Sequence, residues 1–353
     1  MRERTAAGAD ASSGSGGTPQ AAVIRPTIRM VADLAGVSTA TVSYVLSGRG
    51  PGSKGPGVKE ETTRKVREAA EELGYRPNQA ARAVRTGKTQ TVLLSMTMLQ
   101  DPWTLEVVDA VSAQARRHGL TPLIMADDDW NVALERTQAD AVFIDAVKPA
   151  QRSALAGLAS RGLKLVVFDS TVEPDGFDVV RSDDLRGCRE LVDHLLDGWD
   201  DVACLGPGAS RTDRGRAAAF HSALAERGRT APENRVVDID GSPESAYAGA
   251  LRLLAPQDRP RAVYATSDYI AISAVHAAQS LGLTVGQDIA IAGVGNTLAG
   301  ERLRPGLTSV GPRNLLGSVA ELMVQLATDQ RPVGGLHDFP WEVWERASTG
   351  NPA

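Results

Sequence analysis

Cysteine is nearly absent from this chain: 353 residues hold two, Cys188 and Cys204. Two thiols cannot build a disulfide framework, so a reducing compartment and two buried fillers are the natural reading. Aromatic residues make up only 4%. No apolar run reaches the roughly 18 residues that a membrane helix needs, so no membrane partner is expected. The opening "MRERTAAGADASSGSGGTPQ" lacks the apolar stretch of a secretory signal. Its Gly, Ser and Ala content predicts a disordered tail over residues 1–26. The five histidines (His118, His194, His221, His276, His337) are scattered, with no HxxxH or HExxH spacing. There is no Gly-x-Ser-x-Gly and no Walker loop, and "GPGASRTDRG" (206–215) lacks GxGxxG. No catalytic, metal-binding or cofactor motif emerges, so the reading is of a protein that is not an enzyme.

What is present is an ordinary globular composition, 42% hydrophobic and 23% charged, long enough for two or three domains. Charge is unevenly placed. Residues 27–88 carry eleven Lys and Arg against six Asp and Glu, a net of +5, whereas the whole chain is −5 and the remainder therefore −10. A basic module on an acidic body suggests a polyanion partner for the module alone.

Within that module lies "VADLAGVSTATVSYVLSG" (31–48). Its apolar residues keep helical steps except for one step of five, between Val37 and Val42. Gly36 supplies a left-handed turn residue and Ser38 a good helix cap. The stretch reads as helix, tight turn, helix, with Ala32 and Ala35 allowing close approach. An αα-hairpin inside a core has the same pattern, so context decides. Three helices are predicted over 27–75: Thr27 to about Ala35, Ser38 to Leu46, and about Glu60 to Leu73, ended by Gly74 and Pro77. The Gly/Pro loop "SGRGPGSKGPGVK" between the last two is expected to lack a single conformation. Asn78 caps a short helix, "QAARAVRTG", marginal alone in water at about nine residues.

From Thr91 the pattern changes to apolar strands alternating with amphipathic helices. Strand candidates are 91–96, 121–126, 141–145 and 164–169, then 201–206, 235–239, 261–266 and 288–295. Two such series predict an α/β body of two doubly wound parallel sheets. Ligands in such sheets bind beyond the carboxyl ends of the strands, which places a crevice between two lobes.

Several stretches then resemble one family in its own order: "TIRMVADLAGVSTATVSYVLSG" (27–48), "ELGYRPNQAARAVRTGKTQTV" (72–92), "SDDLRGCRELVDHLL" (182–196), "SDYIAISAVHAAQSLGLTVGQDIAIAGVG" (267–295), "PGLTSV" (305–310) and "WEVWERAST" (341–349). The chain resembles the lactose-repressor/galactose-repressor (LacI/GalR) family of bacterial transcription regulators. The resemblance implies an all-α helix-turn-helix headpiece at 27–75, a hinge at 76–88, and a two-lobed body like a periplasmic sugar-binding protein at 89–353. Lobe one would hold about 89–181 and 314–338, lobe two about 182–313 and 339–353. It also implies a cytoplasmic, nucleoid-associated homodimer on pseudo-palindromic double-stranded operator DNA. A small-molecule effector, with a sugar as one candidate, would bind between the lobes.

Residue roles follow from the same resemblance. Ser38–Leu46 would be the recognition helix, with its N-terminal end in the major groove. Thr39 and Ala40 hold base-reading positions, and Tyr44 stands where many members have Arg. Ser38, Thr41 and Ser43 match phosphate-contacting positions, which set register. Asn78 and Arg82 belong to the minor-groove hinge helix, and Val84 holds the place of its usual Leu wedge. In the body, Asp101–Pro102–Trp103 replace the common Asn-Pro-Phe, and Trp103 would stack on or plug the cleft. Asp145 and Asp169 end lobe-one strands. Arg216 matches the effector-contacting Arg, expected to hold an anionic or hydroxylated group. Ser267–Asp268 replace an Asn-Asp pair. Gly295 replaces the family's sugar-binding Asp and is followed by Asn296, which opens an alternative: a regulator of this type that has lost or changed its effector response. Met30 and Lys59 also depart from the pattern, and 127–140 is short for the second body helix near the usual dimer face. The final "STGNPA" carries no Leu heptads, which favours a dimer over a tetramer.

Overall fold

The computed structural model describes residues 26–46, 58–97, 99, 101–126, 129–181, 183–213 and 215–350. The tail expected at 1–26, apart from Arg25's neighbour Pro26, and most of the Gly/Pro loop lie outside the described residues. The chain divides into two compact units, residues 1–85 and 86–353.

The first unit contains α1 (Ile28–Ala35), α2 (Thr39–Leu46), α3 (Glu60–Glu72) and α4 (Gln79–Thr86), the last crossing the unit boundary by one residue. Thr27 caps α1, its hydroxyl accepting the Met30 N–H. Gly36 ends α1 in the left-handed conformation at φ 66°, a geometry that costs glycine little. Ser38 Oγ accepts the Thr41 N–H at 3.1 Å and so opens α2. Val31, Val42 and Val66, one from each helix, are fully buried together. That three-way contact, with small Ala32, Ala69 and Ala70 around it, fixes the helix-turn-helix angle. Lys59 precedes α3 without a side-chain cap. Asn78 Oδ1 accepts the N–H groups of Ala80 and Ala81 at 3.0 and 3.3 Å, starting α4.

The second unit is built on two six-stranded sheets. Lobe one has β1 (Thr91–Ser95), β2 (Thr121–Met125), β3 (Ala141–Ile144), β4 (Leu165–Asp169), β5 (Asp178–Arg181) and β11 (Leu336–Asp338). Lobe two has β6 (Val202–Gly206), β7 (Val236–Asp238), β8 (Ala262–Ala265), β9 (Ala290–Val294), β10 (Thr308–Pro312) and β12 (Trp341–Trp344). The spatial orders are β2-β1-β3-β4-β5-β11 and β7-β6-β8-β9-β10-β12. Both repeat the same doubly wound pattern, whose order reverses beside β1 and β6. All pairs are parallel except β10 with β12.

Away from the edge strands β2 and β7, the apolar runs of the parallel strands are buried on both faces, as covered parallel strands require. In lobe one, Val92 and Leu94 pack toward α5 (Pro102–Arg117) and α13 (Leu315–Ala327), while Leu93 faces α6 (Trp130–Arg136) and α7 (Arg152–Ser160). In lobe two, Cys204 and Tyr264 pack toward α8 (Leu185–Gly198) and α9 (Arg216–Glu226). Leu205 and Val263 pack toward α10 (Pro243–Leu254) and α11 (Asp268–Ser280). Both thiols are buried and unbridged, and burial pushes that of Cys188 up to about 12. A short α12 (Leu298–Arg302) follows β9.

Eight strands lie within the predicted segments; β5, β10, β11 and β12 are additions. The chain passes between lobes after β5, after β10 and after β11, so α13 completes lobe one and β12 returns to lobe two. At the opposite edge of lobe one, β2 packs against α5 and pairs only with β1. Leu123 and Ile124 remain 45% and 53% exposed, with Leu105 and Val132 also exposed, an apolar edge of the kind proteins normally cover.

Candidate DNA-binding and ligand sites

In the first unit, the N-terminal end of α2 and one side of α4 form the walls of a concavity of about 440 Å³. It brings together Thr39, Ala40, Ser43, Asn78 and Arg82, with Arg85 beside them. Ser38, Thr39 and Ala40 are exposed. Thr41 and Ser43 are half-buried, and the Thr41 hydroxyl lies 2.9 Å from that of Ser38. Tyr44 is half-buried one turn along α2. Val84 projects from α4 at 89% exposure, the most exposed large apolar side chain among the described residues. The predicted residues thus occupy one helix end, one adjoining helix and the groove between them.

In the body, a cavity of about 590 Å³ opens at the carboxyl ends of both sheets, at the switch points where such folds bind ligands. Lobe one contributes Thr97, Leu99 and Asp101 from the segment after β1; lobe two contributes Pro207, Arg216, Gly241, Thr266, Ser267 and Tyr269. A smaller space of about 150 Å³ adjoins Asp101 and Arg216 and is walled by Trp103, Phe168 and Trp341. The Trp103 and Phe168 rings lie 4.8 Å apart. Gly206 has a steric reason to be glycine: a Cβ there would lie 1.9 Å from Thr266 Oγ1.

Arg216 is held from three sides. Its Nε donates to Asp184 Oδ2 at 2.5 Å, its Nη1 to the Thr266 carbonyl at 2.9 Å, and its guanidinium carbon lies 5.7 Å from the Trp341 ring centre. Burial works against its charge, but Asp184 outweighs burial and keeps it protonated. Asp101 caps α5 by accepting the Trp103 N–H at 2.9 Å. Burial raises the Asp101 carboxyl above its ordinary value, against the pull of that N–H and of Arg216.

The remaining predicted body residues fall into two groups. Trp103 and Ser267 join Arg216 on the cavity walls, with Ser267 Oγ capping α11 through the Ile270 N–H. Asp145, Asp169, Asp268 and Asn296 instead hold loops. Asp145 accepts the Thr97 N–H at 2.7 Å and so positions a wall residue. One oxygen of Asp169 closes the turn at Thr171 and Val172. Asp268 is buried, raised by that burial, and bonded to Thr297 and Ser309. Asn296 Oδ1 accepts from Arg346 at 2.6 Å, in a left-handed turn at φ 49°. Glu106 links the lobes directly, its Oε1 accepting the Leu298 N–H at 2.6 Å.

Sequence reasoning did not single out Thr97, Thr266, Tyr269, Phe168, Asp184 or Trp341 as wall or support residues. Position directly after an apolar strand is the signal that marks Thr97 and Thr266. Asp184 and Trp341 are distant from Arg216 in sequence and have no such signal. Among the described residues, no group of three or more acidic, Cys or His side chains is placed to hold a metal. No helix there is long and apolar enough to cross a membrane.

A helix-turn-helix unit followed by a two-lobed, cleft-bearing α/β body defines a DNA-binding regulator as the class. Residues 27–78 match the family described as "Bacterial regulatory proteins, lacI family", and residues 192–349 match a "Periplasmic binding protein-like domain". The HTH-type transcriptional repressor PurR of Edwardsiella ictaluri (strain 93-146) is 30% identical over 318 residues, covering 86% of this chain and 91% of that protein. PurR of Erwinia tasmaniensis is 32% identical over 324 residues, covering 86% and 91%. A LacI-family regulator from Silicibacter pomeroyi shares the fold with a TM-score of 0.73 at 21% identity, over 92% of this chain and 99% of that one. The lac repressor dimer bound to operator and the anti-inducer ONPF shares it at 0.69 and 22%, over 92% and 99%. This chain belongs to the lacI family of bacterial transcriptional regulators.

Proposed function

We propose that this regulator acts in the cytoplasm as a homodimeric repressor of a pseudo-palindromic operator, and that a small molecule in the inter-lobe cleft changes its affinity for that operator. Residues 27–75 serve as headpiece, 76–88 as hinge and 89–353 as body. Ser38, Thr39, Ala40, Thr41, Ser43 and Tyr44 meet the major groove; Asn78, Arg82 and Val84 meet the minor groove. The exposed apolar edge at Leu105, Leu123, Ile124 and Val132 serves as dimer surface. Lac repressor, a dimer on operator in its solved structure, supports this assembly by analogy of fold. The protein has no catalytic role in this reading.

The observation that carries the effector half is the cavity of about 590 Å³ walled by both lobes. A ligand that contacts both lobes stabilises one lobe arrangement over another, and only such a difference shifts an equilibrium. The test is a metabolite panel screened by calorimetry, followed by operator anisotropy with and without each binder. A ligand bound in the cleft should change operator affinity at least fivefold, about 1 kcal/mol of coupling. Cleft binders that leave operator affinity unchanged would show that the cleft does not regulate.

A further inference from the structure

Asp101 and Arg216 both line the cleft and the smaller space beside it. The Arg216 guanidinium spends two of its N–H donors on Asp184 and the Thr266 carbonyl and lies over Trp341. Among the described residues, no other Lys or Arg lines the two adjoining spaces. Carboxylates crowd the same region. Asp101 reaches it from lobe one, Asp268 lies behind the wall formed by Ser267 and Tyr269, and Glu106 stands little more than a turn from Asp101 on α5. The charge of Asp101 helps to raise the carboxyls of both Asp268 and Glu106, after the larger effect of burial.

These three acids differ in what they have left to offer. Asp268 is bonded to Thr297 and Ser309, and Glu106 to the Leu298 N–H. Asp101 uses Oδ1 on the Trp103 N–H; among the described residues its second oxygen has no hydrogen-bond partner. Aromatic side chains line the same two spaces: Trp103 and Phe168 from lobe one, Trp341 and Tyr269 from lobe two. Ring faces attract cations, and a carboxylate accepts more strongly from an ammonium than from a neutral donor.

We propose that the cleft selects a ligand bearing a protonated amine, which donates to the unbonded carboxylate oxygen of Asp101 beside the aromatic wall. Asp101 is then the residue that sets ligand charge. This rests on the cleft being the effector site.

The test uses the full-length protein and two charge-matched sets of probes. One set is glucosamine, glucose and glucuronate; the other is phenethylamine, 2-phenylethanol and phenylacetate. Binding is read by calorimetry without DNA. The amine is expected to bind at least tenfold more tightly than its neutral partner in at least one set. Asp101→Asn retains an oxygen for the Trp103 N–H, so its melting temperature checks the fold, and it should level the order within the set. A neutral or anionic probe binding best, no binding by either amine, or an unchanged order in Asp101→Asn overturns the proposal. Operator anisotropy is then run with the binding amine. Amine binding without an operator response leaves the charge selectivity standing and defeats only the regulatory reading.

Discussion

Val84 offers the most quantitative handle on how this regulator holds its operator. The side chain is 89% exposed on α4, an eight-residue helix that starts from the Asn78 cap. An isolated helix of this length is marginal in water, and in the proposed minor-groove role burial of Val84 against DNA would supply free energy that helps to order it. Val84→Ala removes two carbon groups, about 1.6 kcal/mol of burial per subunit at ~0.8 kcal/mol per group. Alanine's better helix propensity returns about 0.6 kcal/mol. The net loss is about 1 kcal/mol per subunit and about 2 kcal/mol per dimer, or roughly thirtyfold weaker specific binding. Val84→Leu adds about 0.8 kcal/mol of burial and about 0.4 kcal/mol of propensity per subunit, so the dimer should bind about fiftyfold more tightly. Anisotropy on operator and on scrambled DNA at one salt concentration measures both. Non-specific affinity should barely change, because the wedge is not inserted there. Equal shifts on both DNAs, or tighter binding by the alanine variant, would refute the wedge.

Other residues give independent checks. Arg216→Met leaves Asp184 unpaired in the lobe-two wall, so thermal unfolding should show a loss of about 3 kcal/mol; combining it with Asp184→Asn should recover much of that stability. Thr27→Ala removes the cap of α1 and should cost the first unit about 1 kcal/mol, read as earlier unfolding and weaker operator binding. Asp178 is pulled below its ordinary value: burial raises it, but His337, the Gly334 N–H and Arg331 outweigh burial. Its contribution is therefore complete above the unfolded value near 3.8 and is lost as pH falls through the lower folded value. Denaturation between pH 5 and about 2 should show a shallower pH slope for Asp178→Asn than for the parent.

Much of this architecture was legible because its signals are local. Gly36, Ser38 and the five-residue apolar step encode a turn between two helices within one short stretch. Eight strands announce themselves as apolar runs, six of them largely buried. The four additional strands do not. The strand at 308–312 buries Thr308 and Ser309, whose hydroxyls bond to Arg346, Thr349 and Asp268 across the fold. The edge strands at 336–338 and 341–344 are short and carry polar residues, so they have no continuous apolar core run. In the cleft, strand-end position alone could not separate acids that line the cavity from acids that hold its loops. Asp145 and Asp268 are committed to Thr97, Thr297 and Ser309, partners that only the folded chain brings near. Asp101 differs because it lines the cavity while one of its oxygens caps a helix.

The most direct test of operator recognition is selection from random DNA by the full-length protein, followed by anisotropy on the enriched sequence across a salt series. A pseudo-palindrome is expected, with an affinity that falls roughly 10³-fold or more between about 50 and 200 mM salt if six phosphates are contacted. Binding that enriches no palindrome, or that is indifferent to sequence at every salt concentration, would contradict it.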